Sequence, residues 1–348
     1  MTVPATTESA IAAADPDTLR KLYRDMLFVR RFEERTAQSY QQARIGGYCH
    51  LNLGEEATVV GVGAAMRPTD YLFTNYREHG YALAKGIEPG RVMAELYGRS
   101  TGTSKGWGGS MHMYDTATRL LGGYAIVGGQ IPLAIGAALA IDYQGGDDVV
   151  VCQMGEGTTN IGAFHESLNI AALWRLPVVF LVINNHTGMG TTVEKSSAEP
   201  DLWKRAAAYR MRGERVDGTD VLAVRDLASE LIEDARREGR PALLEAVSHR
   251  LKGHSVVDPA KYRAGGAVAL AQANDPVVLW QNRLREAGVL TDHALATIER
   301  DVTAGVAAAV EFAESSPHPD PATLFDYNYA TPVPGDSHRL PADPLFTH

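Results

Sequence analysis

From Val149 to Asn185 the chain carries one uninterrupted pattern of apolar run, helix-compatible stretch and second apolar run. Val149, Val150 and Val151 lead into Met154. Residues 161–174 are compatible with a helix, and Leu176-Pro177 ends it before Val178, Val179, Phe180, Leu181, Val182 and Ile183. A strand, a helix and a strand in this order predict a parallel pair, because parallel strands need a crossover connection and then end on one edge of a sheet. Gly155-Glu156-Gly157 follows the first strand and Asn184-Asn185 closes the second. Glu156 and Asn185 are therefore expected to meet at the carboxyl edge, where open α/β sheets bind ligands. One carboxylate, one amide oxygen and a nearby loop carbonyl suit magnesium or calcium. Magnesium completes its octahedron with phosphates and water, so the pair marks a candidate diphosphate site.

A second unit of the same kind follows. Arg215-Val216 is strand-like, Val224, Leu227, Leu231 and Ala235 form a helical stripe, Gly239 and Pro241 stop it, and Ala242 to Val247 is the next strand. This strand delivers Lys252-Gly253-His254-Ser255 to the same edge. The expected fold class is α/β, a mostly parallel sheet flanked by helices on both faces. Residues 1–16 read as a flexible N-terminal arm, 17–315 as the α/β domain and 316–348 as an extended, proline-rich tail. Asp17 is expected to cap the first helix, which carries Leu19, Leu22, Met26, Phe28 and Phe32. Small residues on every face of the helix from Gln130 to Ala140 imply tight packing against a sheet or a partner helix. The glycines at 98, 102, 106, 108 and 109 fit loops that grip a ligand by their backbone, or simply a loop-rich surface.

A net charge of -9 without basic runs argues against nucleic acid and anionic membranes as partners. The longest apolar run, Val178 to Ile183, falls far short of a membrane span, and the N-terminus lacks a basic region followed by an apolar stretch. A cytoplasmic protein is expected. Cys49 and Cys152 cannot build a disulfide framework and read as buried small hydrophobes.

A dinucleotide-binding turn competes for the Gly-x-Gly element and fits it poorly. The third glycine stands at Gly162, no strand-end acid follows within Ala172 to Val178, and an acid between two glycines would repel a pyrophosphate without a cation. Met154-Gly155-Glu156-Gly157 through Asn160, with Asn184-Asn185 and Gly188-Met189-Gly190-Thr191, instead resembles the thiamine diphosphate signature. The chain is similar in detail to the α subunits of two-subunit 2-oxo acid dehydrogenases, the pyruvate dehydrogenase first component most of all. The resemblance runs over roughly residues 17 to 330. It includes Phe32-Glu33-Glu34, Gly47 to Leu51, Tyr76-Arg77-Glu78-His79-Gly80, Gly108 to Tyr114 and Gly253-His254-Ser255.

The resemblance implies a thiamine diphosphate-binding fold and a set of roles. Glu156, Asn185 and the carbonyl of Thr187 would bind magnesium. Tyr76, Arg77 and His254 would contact the diphosphate, with amides of Gly157 and Thr158 at a helix N-terminus. The main chain at Ala125 and Val127 would meet the aminopyrimidine. His50 would face the substrate side, with His79 near the same channel and His254 also serving catalysis. Glutamate stands at 156 where the family usually has aspartate, threonine at 187 where tyrosine is common, and alanine at 125 where glycine is usual.

The family's activating glutamate lies on a separate β subunit, and the resemblance implies that this chain carries only the diphosphate-binding module. The implied enzyme is a heterotetramer of two α and two β chains. It would decarboxylate a small 2-oxo acid, pyruvate in the first place, and pass the acyl group to a lipoylated dihydrolipoyl acyltransferase. Branched-chain 2-oxo acids and acetoin are the alternatives within the enzyme reading. A non-catalytic paralogue that binds a partner is the alternative outside it.

Overall fold

The computed structural model describes residues 11–263, 265–324 and 326–327. Six strands form one sheet: β1 (Tyr71–Asn75), β2 (Leu120–Tyr124), β3 (Val150–Gly155), β4 (Val178–Asn184), β7 (Arg212–Asp217) and β8 (Ala242–Val247). Their order is β2-β1-β3-β4-β8-β7 and every neighbouring pair is parallel. Between β4 and β7 lies a small hairpin of β5 (Thr187–Gly188) and β6 (Thr191–Thr192). The helices are α1 (Pro16–Gln41), α2 (Glu56–Ala65), α3 (His79–Ala84), α4 (Pro89–Leu96), α5 (Gln130–Tyr143) and α6 (Gly162–Trp174). They continue with α7 (Val193–Ser196), α8 (Val221–Glu238), α9 (Gly265–Ala273), α10 (Pro276–Glu286) and α11 (Asp292–Ser315).

The unbroken apolar run of β4 has a plain cause: both faces of this strand are covered. Val178, Phe180 and Val182 pack with Ile131, Ile135, Phe164 and Leu168 of α5 and α6. Val179, Leu181 and Ile183 point the other way, into a core shared with α1, α2, α8 and α11. A sheet buried on both sides needs apolar residues at successive positions, and each such side chain stabilises by roughly 1.5–3 kcal/mol on burial. The expected α/β fold with helices on both faces is what the chain adopts.

Helix ends follow local chemistry. Asp15, and not Asp17, caps α1: its carboxylate accepts from Thr18 N at 2.9 Å. Pro16 supplies the fixed φ of the first helical residue, which moves the start ahead of Asp17. Helical structure is also present at residues 11–13, within the expected arm, and residues 1–10 lie outside the described residues. Gly239 ends α8 in the left-handed conformation expected of that position. Helix α5 buries Ile131, Ala134, Ile135 and Ala138 against the sheet and leaves Leu133, Leu139 and Tyr143 exposed. Among the described residues no helix is long and apolar enough to cross a membrane.

Four amides of the glycine-dense loop are turned onto the protein's own Glu95. That buried carboxylate accepts from the amides of Ser104 (2.7 Å), Gly106 (2.9 Å), Gly108 (2.7 Å) and Gly109 (3.0 Å). At Gly102 a Cβ would lie 2.3 Å from the same carboxylate. The segment after α11 then folds back over this loop. Ser100 N donates to Pro317 O at 3.0 Å, and Lys105 Nζ stands 4.3 Å above the ring of Tyr327. The rest of the expected tail, residues 328–348, lies outside the described residues.

Glu95→Ala strands four amides that have no other acceptor in this arrangement and is expected to cost on the order of 3–5 kcal/mol. Hydrogen exchange at residues 104–109 should accelerate with a lowered thermal midpoint; unchanged protection there would contradict the role given to Glu95.

Candidate active site

The strand order reverses between β1 and β3, and the loops that leave the carboxyl ends of β1, β3, β4 and β8 converge beside that point. Register makes the convergence unavoidable. Gly155 is opposite Ile183 and Asn184 is opposite Val247, so Glu156, Asn185 and the 248–254 loop leave the sheet at nearly one level. Asn75 ends β1 opposite Tyr124 of β2, which places Tyr76-Arg77 and Ala125 to Val127 on the same edge.

The side chains meet there. The rings of His50 and Tyr76 are 4.5 Å apart, those of His50 and His254 5.1 Å, and those of Tyr76 and His254 5.7 Å. Glu156 is 5% exposed, and a Cβ on Gly188 would lie 3.6 Å from its Oε1, so the carboxylate sits under the loop that follows Asn185. The Nδ2 of Asn185 donates to Glu55 Oε1 at 3.1 Å, while its Oδ1 is buried without a hydrogen-bond partner. Thr187 offers its carbonyl to the same space. That carbonyl accepts from Arg250 at 2.9 Å, and a carbonyl oxygen has a second lone pair.

Arg250 escaped the sequence reading. It is buried, it contacts Thr187 O and Oγ1, its Nε has no partner, and among the described residues no carboxylate lies within ion-pair distance of it. A buried guanidinium is costly unless paired, and this one stands beside the proposed ligand space with donors to spare. Its only signal in the sequence is position, three residues past β8 at the edge where ligands bind.

Arg77 differs from the expectation in detail. Its terminal nitrogens donate to Leu51 O at 2.6 Å and His254 O at 2.8 Å, so the fork clamps two loops of the site before it offers anything to a phosphate. His79 is held inside the fold. The ring is fully buried, with Nδ1 2.9 Å from Glu33 Oε2 and Nε2 2.9 Å from Ser110 Oγ. Both ring nitrogens are used internally, and the residue positions its neighbours. Gly157 and Thr158 head a five-residue 3-10 turn (Glu156–Asn160), so the α-helix itself starts one turn later than the resemblance implied. Ala125 is half-buried and does not adopt positive φ, so the missing glycine causes no strain, and Val127 is exposed.

Electrostatics separates two kinds of group. Burial pushes the Glu156 carboxyl above its usual range, Glu55 adds to that push, and Arg250 and Arg77 oppose it. Burial also raises the Tyr76 phenol. His50 is pushed down to about 3, first by burial and then by Arg77, His254, His79 and Arg250. His254 is lowered to about 4 by burial and by the same two arginines. Arg250 can only donate, so Nδ1 of His254, 3.4 Å away, accepts, and the neutral ring carries its proton on Nε2. Among the described residues no group of three or more His, Cys, Asp and Glu side chains could hold a metal, so a cation here must draw on amide and carbonyl oxygens.

With this geometry in hand, comparison with known proteins is informative. The family model described as dehydrogenase E1 component matches residues 24–322. The chain belongs to that family. It is 44% identical over 306 residues to the pyruvate dehydrogenase E1 component subunit alpha of Rhizobium meliloti (strain 1021), covering 88% of each chain. It is 41% identical over 314 residues to the protein of the same name from Zymomonas mobilis, covering 90% of this chain and 88% of the relative. The chloroplastic subunit alpha-3 of Oryza sativa is 38% identical over 353 residues, covering 97% and 83%.

One consequence of the lowered histidines is a pH dependence of stability. The unfolded His50 takes up a proton near pH 6.5 and the folded one only near 3, so its contribution is complete above 6.5 and is lost as pH falls toward 3. Urea midpoints of wild type should fall through this window faster than those of His50→Phe, by up to about 1.4 kcal/mol per pH unit. Parallel profiles would contradict a neutral, buried His50.

Proposed function

We propose that this chain is the α subunit of a thiamine diphosphate- and magnesium-dependent 2-oxo acid dehydrogenase, acting on pyruvate in the cytoplasm. The observation that carries the reading is a pair of unmet needs at one edge: the orphaned Oδ1 of Asn185 beside Glu156, and Arg250 without a carboxylate. A divalent cation answers the first and a diphosphate the second. The pyruvate dehydrogenase subunits among the relatives support the choice of acid.

In this reading Glu156, Asn185 Oδ1 and the carbonyl of Thr187 hold magnesium. Glutamate in place of aspartate keeps the ligand chemistry. Arg250, Tyr76 and Nε2 of His254 donate to the diphosphate, and Arg77 locks the loops around it. The backbone at Ala125 and Val127 flanks the aminopyrimidine. Bound thiamine diphosphate supplies the electron sink for decarboxylation. His50, with a buried Nδ1 that has no partner, would face the substrate side.

The resemblance puts the activating acid on a β subunit, and Ile126 and Val127 are exposed where the aminopyrimidine would lie. A β subunit seated there would complete the site in an α2β2 assembly, and the acyl group would pass to the lipoyl arm of a dihydrolipoyl acyltransferase.

Two outcomes test the proposal. The purified chain should decarboxylate no 2-oxo acid alone and gain activity with a β subunit, pyruvate leading a substrate panel; full activity alone would overturn the shared site. Arg250→Gln removes charge-assisted hydrogen bonds worth roughly 1.5–3 kcal/mol, so calorimetry should show thiamine diphosphate binding weakened about 10- to 100-fold.

A further inference from the structure

Glu55 lies at the N-terminus of α2 yet makes no capping bond to it. Its backbone is pinned from both sides. Gly54 adopts φ +98, and a Cβ there would lie 2.0 Å from His249 O, so only glycine lets this turn pack against the 249–251 loop. Glu56, next in sequence, is fully buried and receives Arg30 Nε at 2.6 Å, while Arg30 also forks onto Asp275 with two bonds of 2.9 Å. The turn carrying Glu55 cannot drift.

The Glu55 side chain, 1% exposed, points into the site. Oε2 accepts from Asn52 Nδ2 at 3.2 Å, and Oε1 accepts from Asn185 Nδ2 at 3.1 Å with Arg77 Nε at 3.8 Å. Asn52 is itself locked, since its Oδ1 accepts from Gly80 N at 3.0 Å and its backbone N–H donates to Glu33 Oε1 at 2.9 Å. Both hydrogen bonds to Glu55 come from amide NH2 groups, and a carboxylate can only accept. An asparagine amide has one end that donates and one that ligates a cation. With Glu55 holding the NH2 end, Oδ1 is the end left buried and unpartnered.

We infer that Glu55 is a positioning residue that sets which end of the Asn185 amide faces the cation. The inference rests on the magnesium–diphosphate reading above. Glu55 does not touch the metal; it excludes the rotamer that would present NH2 to it. Partners of this kind, which orient a ligand from behind, typically change metal affinity 10- to 100-fold when lost.

The test is Mn2+ binding to the full chain in the presence of thiamine diphosphate, read by electron paramagnetic resonance, with circular dichroism to check folding. Glu55→Leu should weaken Mn2+ binding about tenfold or more, and Glu55→Gln, which keeps an acceptor oxygen, should stay within about threefold. In an Asn185→Asp background both ends of the side chain are oxygens, so orientation no longer matters. There Glu55→Leu should leave binding unchanged or tighten it by removing a like charge. An equal loss in both backgrounds would mean damaged packing and overturn the inference, as would Glu55→Leu binding like wild type. A wild-type chain that takes up no Mn2+ with thiamine diphosphate, alone or with its β subunit, would overturn the site reading itself and this inference with it.

Discussion

Because β3 and β4 pair in parallel without a slip from Val150 opposite Val178 to Gly155 opposite Ile183, their loops leave the sheet together. A shift of one residue would turn Val178, Phe180 and Val182 from one core to the other and carry Asn185 away from Glu156. Both faces of these strands are buried, so apolar packing on two sides holds the register. The site's geometry therefore depends on core side chains that never touch it. β1 and β8 extend the same registry and bring Tyr76-Arg77 and the 248–254 loop to the edge.

What gathers at that edge is buried charge. Arg77, Arg250, Glu55 and Glu156 are all buried, and the two histidines among them are held neutral. Arg77 is spent on backbone carbonyls and Glu55 on amides, whereas Glu156 and Arg250 retain unmet capacity beside each other. A buried network tolerates such capacity poorly unless a ligand completes it. A cation between carboxylate and diphosphate reconciles the opposite charges, and the raised Glu156 carboxyl would then be stabilised in its ionised form.

The sheet and the edge were legible because they rest on local patterns. Valine-rich runs, one proline and one glycine stop were enough to place β3, α6, β4, α8 and β8. Glu156 and Asn185 could be named because strand ends are where parallel sheets expose polar residues, whereas the roles of Thr187, His50 and His254 came from the resemblance. The partners that make these residues work were hidden, since their meaning is non-local. Arg250 looks like any loop arginine until Thr187, 63 positions away, is seen against it. Glu95 explains the glycines only once the loop folds over it. His79 sat inside a familiar motif, and only burial shows that Glu33 and Ser110 consume both ring nitrogens. At α1 the reading placed Asp17 as the cap, and Pro16 moved the start.

The central claim is that Glu156, Asn185 and Thr187 form one cation site at the carboxyl edge of β3 and β4. A Mn2+ anomalous difference map from crystals of the full chain with thiamine diphosphate tests it most directly. The account predicts one peak touching the Glu156 carboxylate, Asn185 Oδ1 and Thr187 O, at coordination distances close to the about 2.1 Å typical of magnesium. A peak that misses Glu156, or an Asn185 amide turned with Nδ2 toward the ion, would contradict it.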